Sequence, residues 1–138
     1  MKTSTLVDTN ILIDVLGPRD PMSEWSAAAL DTCRGLGSLL INTVVWSELA
    51  PLASEATLGL ATAQLGCERE MIPWNAAYLA GTAHLRYRRS GGTRERTLPD
   101  FLIGAHAQVA GHRILTRDAV NYRRYFPDVE IVYPAANP

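Results

Sequence analysis

Apolar residues fall into short continuous runs separated by stretches in which they recur every three or four positions, the pattern of brief buried strands alternating with amphipathic helices. Residues 4–7 are β-prone and end at Asp8, after which Ile11, Leu12, Val15 and Leu16 recur at helical spacing up to Gly17 and Pro18. Ser23 is expected to cap a second helix running to about Gly35, with Trp25, Ala28, Ala29 and Cys33 on one face. Leu39, Leu40 and Ile41 read as a buried strand, and Thr43 is expected to cap the next helix, which carries Glu48 and stops at Pro51. A helix over 54–65, a short edge strand at Met71 and Ile72, and an amphipathic helix over 75–89 closed by Gly91 and Gly92 follow.

Thr97-Leu98-Pro99-Asp100 has the form of a helix start, with proline where its missing N–H costs nothing, and this helix runs to Ala110 before Gly111. A strand at Ile114, Leu115 and Thr116, a short helix over 118–125 and a last strand over 129–132 complete the chain. Parallel neighbours need crossover helices of this length, so the order predicts an α/β fold: an α/β/α sandwich with a central parallel sheet of four to five strands. At 138 residues it is expected to be one domain spanning 1–138.

Composition adds little until charge is divided along the chain. The net charge is −1, yet nine of the 13 basic residues lie in 86–124 (Arg86, Arg88, Arg89, Arg94, Arg96, Arg113, Arg117, Arg123 and Arg124) with only Glu95, Asp100 and Asp118 to oppose them. A polyanion could meet such a face, and a solvated surface paired with the acidic half is the competing explanation. Cys33 and Cys67 make no disulfide framework and read as small buried hydrophobes, which suits a reducing compartment. Asp8, Asn10 and Asp14 interrupt the first apolar stretch, and no run approaches a membrane span, so a cytoplasmic protein without membrane association is expected.

The chemistry lies in where the acids fall relative to the strands. Asp8 directly follows the first strand, Asp118 lies just past the Ile114 strand, and Glu48 sits in the helix entered from the Leu39 strand. In a parallel sheet these three share the carboxyl edge, where ligands of such folds bind; Asp100, at the start of its helix, does not follow from that argument. Gathered carboxylates repel one another unless a cation lies between them, and oxygen-only ligands favour Mg²⁺ or Mn²⁺. Such a site beside an arginine-rich rim would hydrolyse a phosphodiester backbone. Each acid alone has a simpler explanation: Asp8 and Asp118 as helix caps, Asp100 as a partner of its helix dipole, Glu48 as an ordinary helical glutamate.

The stretch Leu6-Val7-Asp8-Thr9-Asn10-Ile11-Leu12-Ile13-Asp14 resembles the opening of PIN domains, particularly the VapC toxins of bacterial toxin–antitoxin pairs. Later landmarks agree in order: Ser47-Glu48-Leu49, then Leu98-Pro99-Asp100-Phe101-Leu102-Ile103-Gly104-Ala105, then Leu115-Thr116-Arg117-Asp118 with Tyr122 and Phe126-Pro127 after it. The resemblance implies a PIN-like fold with Asp8, Glu48, Asp100 and Asp118 as catalytic acids. Asp8, Asp100 and Asp118 would ligate Mg²⁺ or Mn²⁺, and Glu48 would be a further ligand or the group that orients or deprotonates water. Asn10 and Thr116 would support them, although either could be a plain turn or strand-end residue. It further implies an endoribonuclease acting on tRNA or rRNA, a cognate antitoxin protein of the VapB type as partner, and a homodimer; a catalytically silent RNA-binding module is the alternative. Candidate RNA contacts are Arg86, Arg88, Arg89, Arg94, Arg96 and Arg117.

Other classes fit less well. Lys2 is the only lysine, which leaves a receiver-type signalling domain without the lysine it needs, and Asn10 stands where an aspartate-nucleophile phosphatase wants a second aspartate. His84, His106 and His112 share no ligand spacing and are expected as satisfied core or surface histidines, with His106 standing where the family usually has a small residue. Trp25, Trp46 and Trp74 are expected in the core or on a partner surface.

Overall fold

The computed structural model describes residues 3–92 and 97–135. Five short strands, β1 (Thr5–Val7), β2 (Leu39–Ile41), β3 (Cys67–Arg69), β4 (Arg113–Leu115) and β5 (Ile131–Val132), form one sheet in the order β3-β2-β1-β4-β5. Every pairing is parallel, with Leu6 opposite Leu40 on one side and Ile114 on the other. Seven helices make the crossovers: α1 (Thr9–Leu16), α2 (Ser23–Leu36), α3 (Thr43–Leu49), α4 (Glu55–Gln64), α5 (Trp74–Arg89), α6 (Leu98–Ala110) and α7 (Val120–Tyr125). The result is the expected α/β/α arrangement.

The central strands are mostly apolar, with Thr5 and Arg113 at the entry ends of β1 and β4, because helices cover both faces of a parallel sheet. Leu6, Val7, Leu39, Ile41, Ile114 and Leu115 are all essentially inaccessible. The chain reverses direction across the sheet between β1 and β4: two crossovers step outward from β1 to β2 and β3, and the next returns to the far side of β1. That switch opens a crevice beyond the carboxyl ends of β1 and β4.

Three local expectations are corrected. Asn42, not Thr43, caps α3, its Oδ1 accepting from Val45 N–H at 3.0 Å. Ser23 caps nothing; it is the first residue of α2, and its hydroxyl donates to the Asp14 carbonyl at 2.8 Å while accepting from Asp20 N–H at 2.9 Å. The edge strand lies at Cys67–Arg69 rather than at Met71 and Ile72. Gly66, at φ +85°, turns the chain out of α4 straight into register, so that Leu39 meets Cys67 and the pairing ends where Glu70 N–H reaches the Ile41 carbonyl at 3.0 Å. As an edge strand β3 is polar and half-exposed, so it carries no apolar run. Consistently, Cys67 is only half-buried whereas Cys33 is buried. Trp25 and Trp46 are half-buried, while Trp74 stands 93% exposed. Among the described residues no helix is long and apolar enough to cross a membrane.

Helix α6 packs along the core through Phe101, Ile103, Gly104, Ala105 and Ala107. A Cβ on Gly104 would sit 2.3 Å from two ring carbons of Phe126, which is itself 2% exposed. Gly104→Ala is therefore expected to lower unfolding free energy by about 1–3 kcal/mol, the usual range for an overpacked core, as read by urea denaturation. A loss under about 0.5 kcal/mol, ordinary for a surface change, would mean that Phe126 yields without strain.

Candidate active site

Asp8 follows β1 directly and caps α1, so its side chain is fixed at the mouth of the crevice by the element boundary itself. Its Oδ1 accepts from Thr9 N–H at 2.7 Å. Its Oδ2 accepts from Thr116 Oγ1 at 2.8 Å, from Tyr122 OH at 3.0 Å and, more weakly, from Asn10 Nδ2 at 3.5 Å. Burial pushes its carboxyl up to about 6, and the neighbouring Asp100 charge adds to the rise, while the bonds from Thr116, Tyr122 and Thr9 oppose it. An aspartate held by three good donors and still raised is one whose burial outweighs those bonds.

Thr116 is the hub behind it. Its hydroxyl gives its single proton to Asp8 and accepts from Asn10 Nδ2 at 3.2 Å and from Asp118 N–H at 3.0 Å, which uses its full hydrogen-bonding capacity. Asn10 closes the loop by accepting from Arg117 N–H at 3.1 Å. One threonine thus ties the end of β1 to the turn after β4. Asp118 does not cap α7, whose cap is Ala119.

Glu48 comes from α3 and is exposed, and its Oε1 accepts from Thr9 Oγ1 at 2.7 Å. Asp100 lies in the first turn of α6, with Oδ2 accepting from Thr97 N–H at 3.2 Å, one half of a capping box. Together Asp8, Thr9, Asn10, Ile13, Glu48, Asp100, Phe101, Asp118, Tyr122 and Phe126 line a cavity of about 240 Å³. All four acids, with Asn10, therefore face one space, and Thr116 stands buried behind Asp8.

Two supporting residues escape a reading of the sequence. Thr9 aims Glu48, and nothing marks it except its place beside Asp8. Tyr122 donates to Asp8 from the floor of the cavity; its burial, together with the Asp8 and Asp100 charges, raises its hydroxyl well above the usual range, so it remains a donor. Arg86, Arg88 and Arg89 are exposed on the last turn of α5. Between them Tyr87 packs on Phe101, ring centres 5.5 Å apart, and Phe101 lines the cavity. Arg117 is placed differently: its Nε lies 3.0 Å from the buried carboxylate of Asp14, at an angle too poor for a hydrogen bond, and its Nη1 lies 3.8 Å from Asp20. Arg94 and Arg96 lie outside the described residues.

Raising the Asp8 carboxyl has a signed consequence for stability. In the unfolded chain it ionises near its ordinary value of about 4, whereas in the fold it keeps its proton up to about 6. Its stabilising contribution is present below the first value and is lost as pH rises through the second. In EDTA, wild-type stability measured by urea denaturation should fall relative to Asp8→Asn between about pH 4 and 6, by an amount on the order of 3 kcal/mol. A difference that does not change across that window would place Asp8 at its ordinary value.

The profile of the PIN domain family matches residues 5–127. In structure the chain resembles VapBC2 from Rickettsia felis bound to a DNA fragment from their promoter, with a TM-score of 0.71 and 14% identity over 95% of this chain and 98% of that one. It also resembles a toxin–antitoxin complex from Klebsiella pneumoniae, with a TM-score of 0.69 and 23% identity over 96% of this chain and 99% of that one. A sarcin–ricin-loop-cleaving VapC toxin of Mycobacterium tuberculosis aligns at a TM-score of 0.56 and 15% identity over 79% of this chain and 85% of that one. No curated protein sequence gives a match.

Proposed function

The chain belongs to the PIN domain family, and on that premise we propose that it is a metal-dependent endoribonuclease acting as the toxin of a toxin–antitoxin pair. One observation carries the reading: four carboxylates delivered by four different elements line a single cavity at the switch point of the sheet. The donor set suits Mg²⁺ or Mn²⁺, since it is all oxygen. Burial raises the Asp8 carboxyl and the Asp100 charge adds to the rise, and a divalent cation beside the two would favour their ionised forms. Asp8, Asp100 and Asp118 would hold the ion, which when bound supplies charge to stabilise the phosphoryl oxygens and to acidify a water.

The chain's own residues divide the remaining work. Thr116 and Tyr122 fix the Asp8 carboxylate by donating to one of its oxygens, and Thr116 also anchors the backbone that presents Asp118. Glu48, steered by Thr9 and open to solvent, orients the attacking water and takes its proton. Arg86, Arg88 and Arg89, flanking the Tyr87–Phe101 contact, hold the RNA backbone by phosphate contacts that carry no sequence information. The similar complexes from Rickettsia felis and Klebsiella pneumoniae motivate a cognate antitoxin partner here, and the sarcin–ricin-loop-cleaving toxin motivates ribosomal RNA as a target, beside the tRNA that the family resemblance implies. The whole chain acts as one domain, and as a homodimer.

Purified protein should cut a pool of tRNA and rRNA into discrete fragments with Mg²⁺ or Mn²⁺ and fail in EDTA. Asp8→Asn and Asp100→Asn should each slow cleavage at least about 100-fold, the scale on which a single transition-state contact acts. Thr116→Val should fall between wild type and these two. RNA that binds but is left intact under both metals, with all variants behaving alike, would replace the nuclease by an RNA-binding module.

A further inference from the structure

Away from the acidic cavity, three side chains distant in sequence converge on one point. Glu70 follows β3, His106 lies in the middle of α6, and His112 immediately precedes β4. Glu70 Oε1 is 2.8 Å from His106 Nε2 and 2.6 Å from His112 Nε2, and the ligand-capable atoms all lie within 4.8 Å of one another. None of the three lines the acidic cavity. His106 is fully buried, while the Glu70 side chain is 36% exposed and borders a separate groove of about 170 Å³ with Asn42, Thr43, Trp46, Arg69 and Met71.

We propose that Glu70, His106 and His112 form a second metal site, one that binds a borderline transition-metal ion of the Zn²⁺ class and clips the end of β3 to α6 and β4. Two imidazoles and one carboxylate are a donor set that Zn²⁺ accepts and Mg²⁺ does not favour, and three protein ligands leave a fourth position for water. The groove beside Glu70 gives that water and the ion their entry. Both outer ring nitrogens have a polar partner that could orient the ring from behind: His112 Nδ1 meets Ser4 Oγ, and His106 Nδ1 meets Asn42 Nδ2 at 3.1 Å. Arg69, the adjacent cation, is kept aside by stacking over Trp46 at 4.2 Å.

Ligation asks both rings to move a proton from Nε2 to Nδ1, and one outer partner to turn over. Because Asn42 Oδ1 accepts from Val45 N–H, its amide nitrogen donates to His106 Nδ1, so without the ion the His106 proton sits on Nε2 and is given to Glu70. On binding, that proton moves to Nδ1 and the Asn42 amide turns over to accept it, exchanging one capping hydrogen bond for coordinate bonds. His112 makes the same proton shift, since its Nε2 donates to Glu70 without the ion, but its outer partner need not turn over: Ser4 Oγ is a hydroxyl that can accept from Nδ1 as readily as donate to it.

The test is calorimetric titration of Zn²⁺ into the metal-stripped full chain in the presence of excess Mg²⁺, which keeps the acidic cavity from competing. Wild type should take up one equivalent, with a rise in Tm. Asp8→Asn should bind the same equivalent, and Glu70→Gln and His112→Gln should each bind at least about 100-fold more weakly. Glu70→Gln keeps the size of the side chain and an oxygen to accept from both rings, so its loss of binding reports ligation rather than misfolding. No tight equivalent in wild type, or wild-type affinity in both variants, would overturn the site and leave a hydrogen-bonded cluster only.

Discussion

The carboxylate of Asp8 is anchored from three separate parts of the fold. The β1–α1 junction supplies Thr9 N–H, the turn after β4 supplies Thr116 Oγ1, and α7 supplies Tyr122 OH. Thr9 N–H is local, but Thr116 and Tyr122 reach Asp8 only if β4 lies next to β1 in parallel, which places the segments leaving both strands at the same edge. The same adjacency creates the switch point at which the cavity opens. The fold and the charge are therefore coupled: the sheet buries a carboxylate that resists ionisation, and the three remaining acids surround the space it faces.

That coupling decides what each surrounding residue is for. Thr116 makes three hydrogen bonds, and in doing so it ties Asp8, Asn10 and Asp118 into one unit, so these positions cannot move independently. Glu48 is attached through a single hydroxyl and remains exposed, which separates it physically from the rigid group behind it. Arg117, which the charge count assigns to the basic face, instead joins β4's exit loop to α1 and its following loop through Asp14 and Asp20. Charge along the sequence thus located a basic region without distinguishing cations that brace the site from cations that surround it.

The parallel sheet and the grouping of Asp8, Glu48 and Asp118 were legible because alternating apolar runs and helical periods imply such a sheet, and a parallel sheet has one carboxyl edge. Asp100 was legible only through family resemblance, yet the same geometry reaches it: a crossover helix runs antiparallel to the strand it feeds, so the first turn of α6 lies at the edge where β4 ends. What stayed hidden depends on contacts between distant segments. Asn42 and Thr43 are equally good caps by composition, and the choice is made by backbone geometry and by His106 waiting beside Asn42. The polar edge strand at Cys67–Arg69 has no apolar signature, whereas Met71, which has one, is exposed. His106 and His112 show no ligand spacing because the third member, Glu70, lies far away in sequence.

The central claim is that the four acids act as one cation site rather than as four separate caps and surface groups. The most direct measurement is Mn²⁺ binding to the metal-stripped protein, followed by the electron paramagnetic resonance signal of free Mn²⁺ with Zn²⁺ saturating any histidine site. If the claim holds, wild type removes Mn²⁺ from solution and single substitutions at Asp8, Asp100 or Asp118 to asparagine each weaken that uptake by at least about 10-fold, the equivalent of 1.4 kcal/mol. Uptake that is absent, or that survives all three substitutions unchanged, would contradict it.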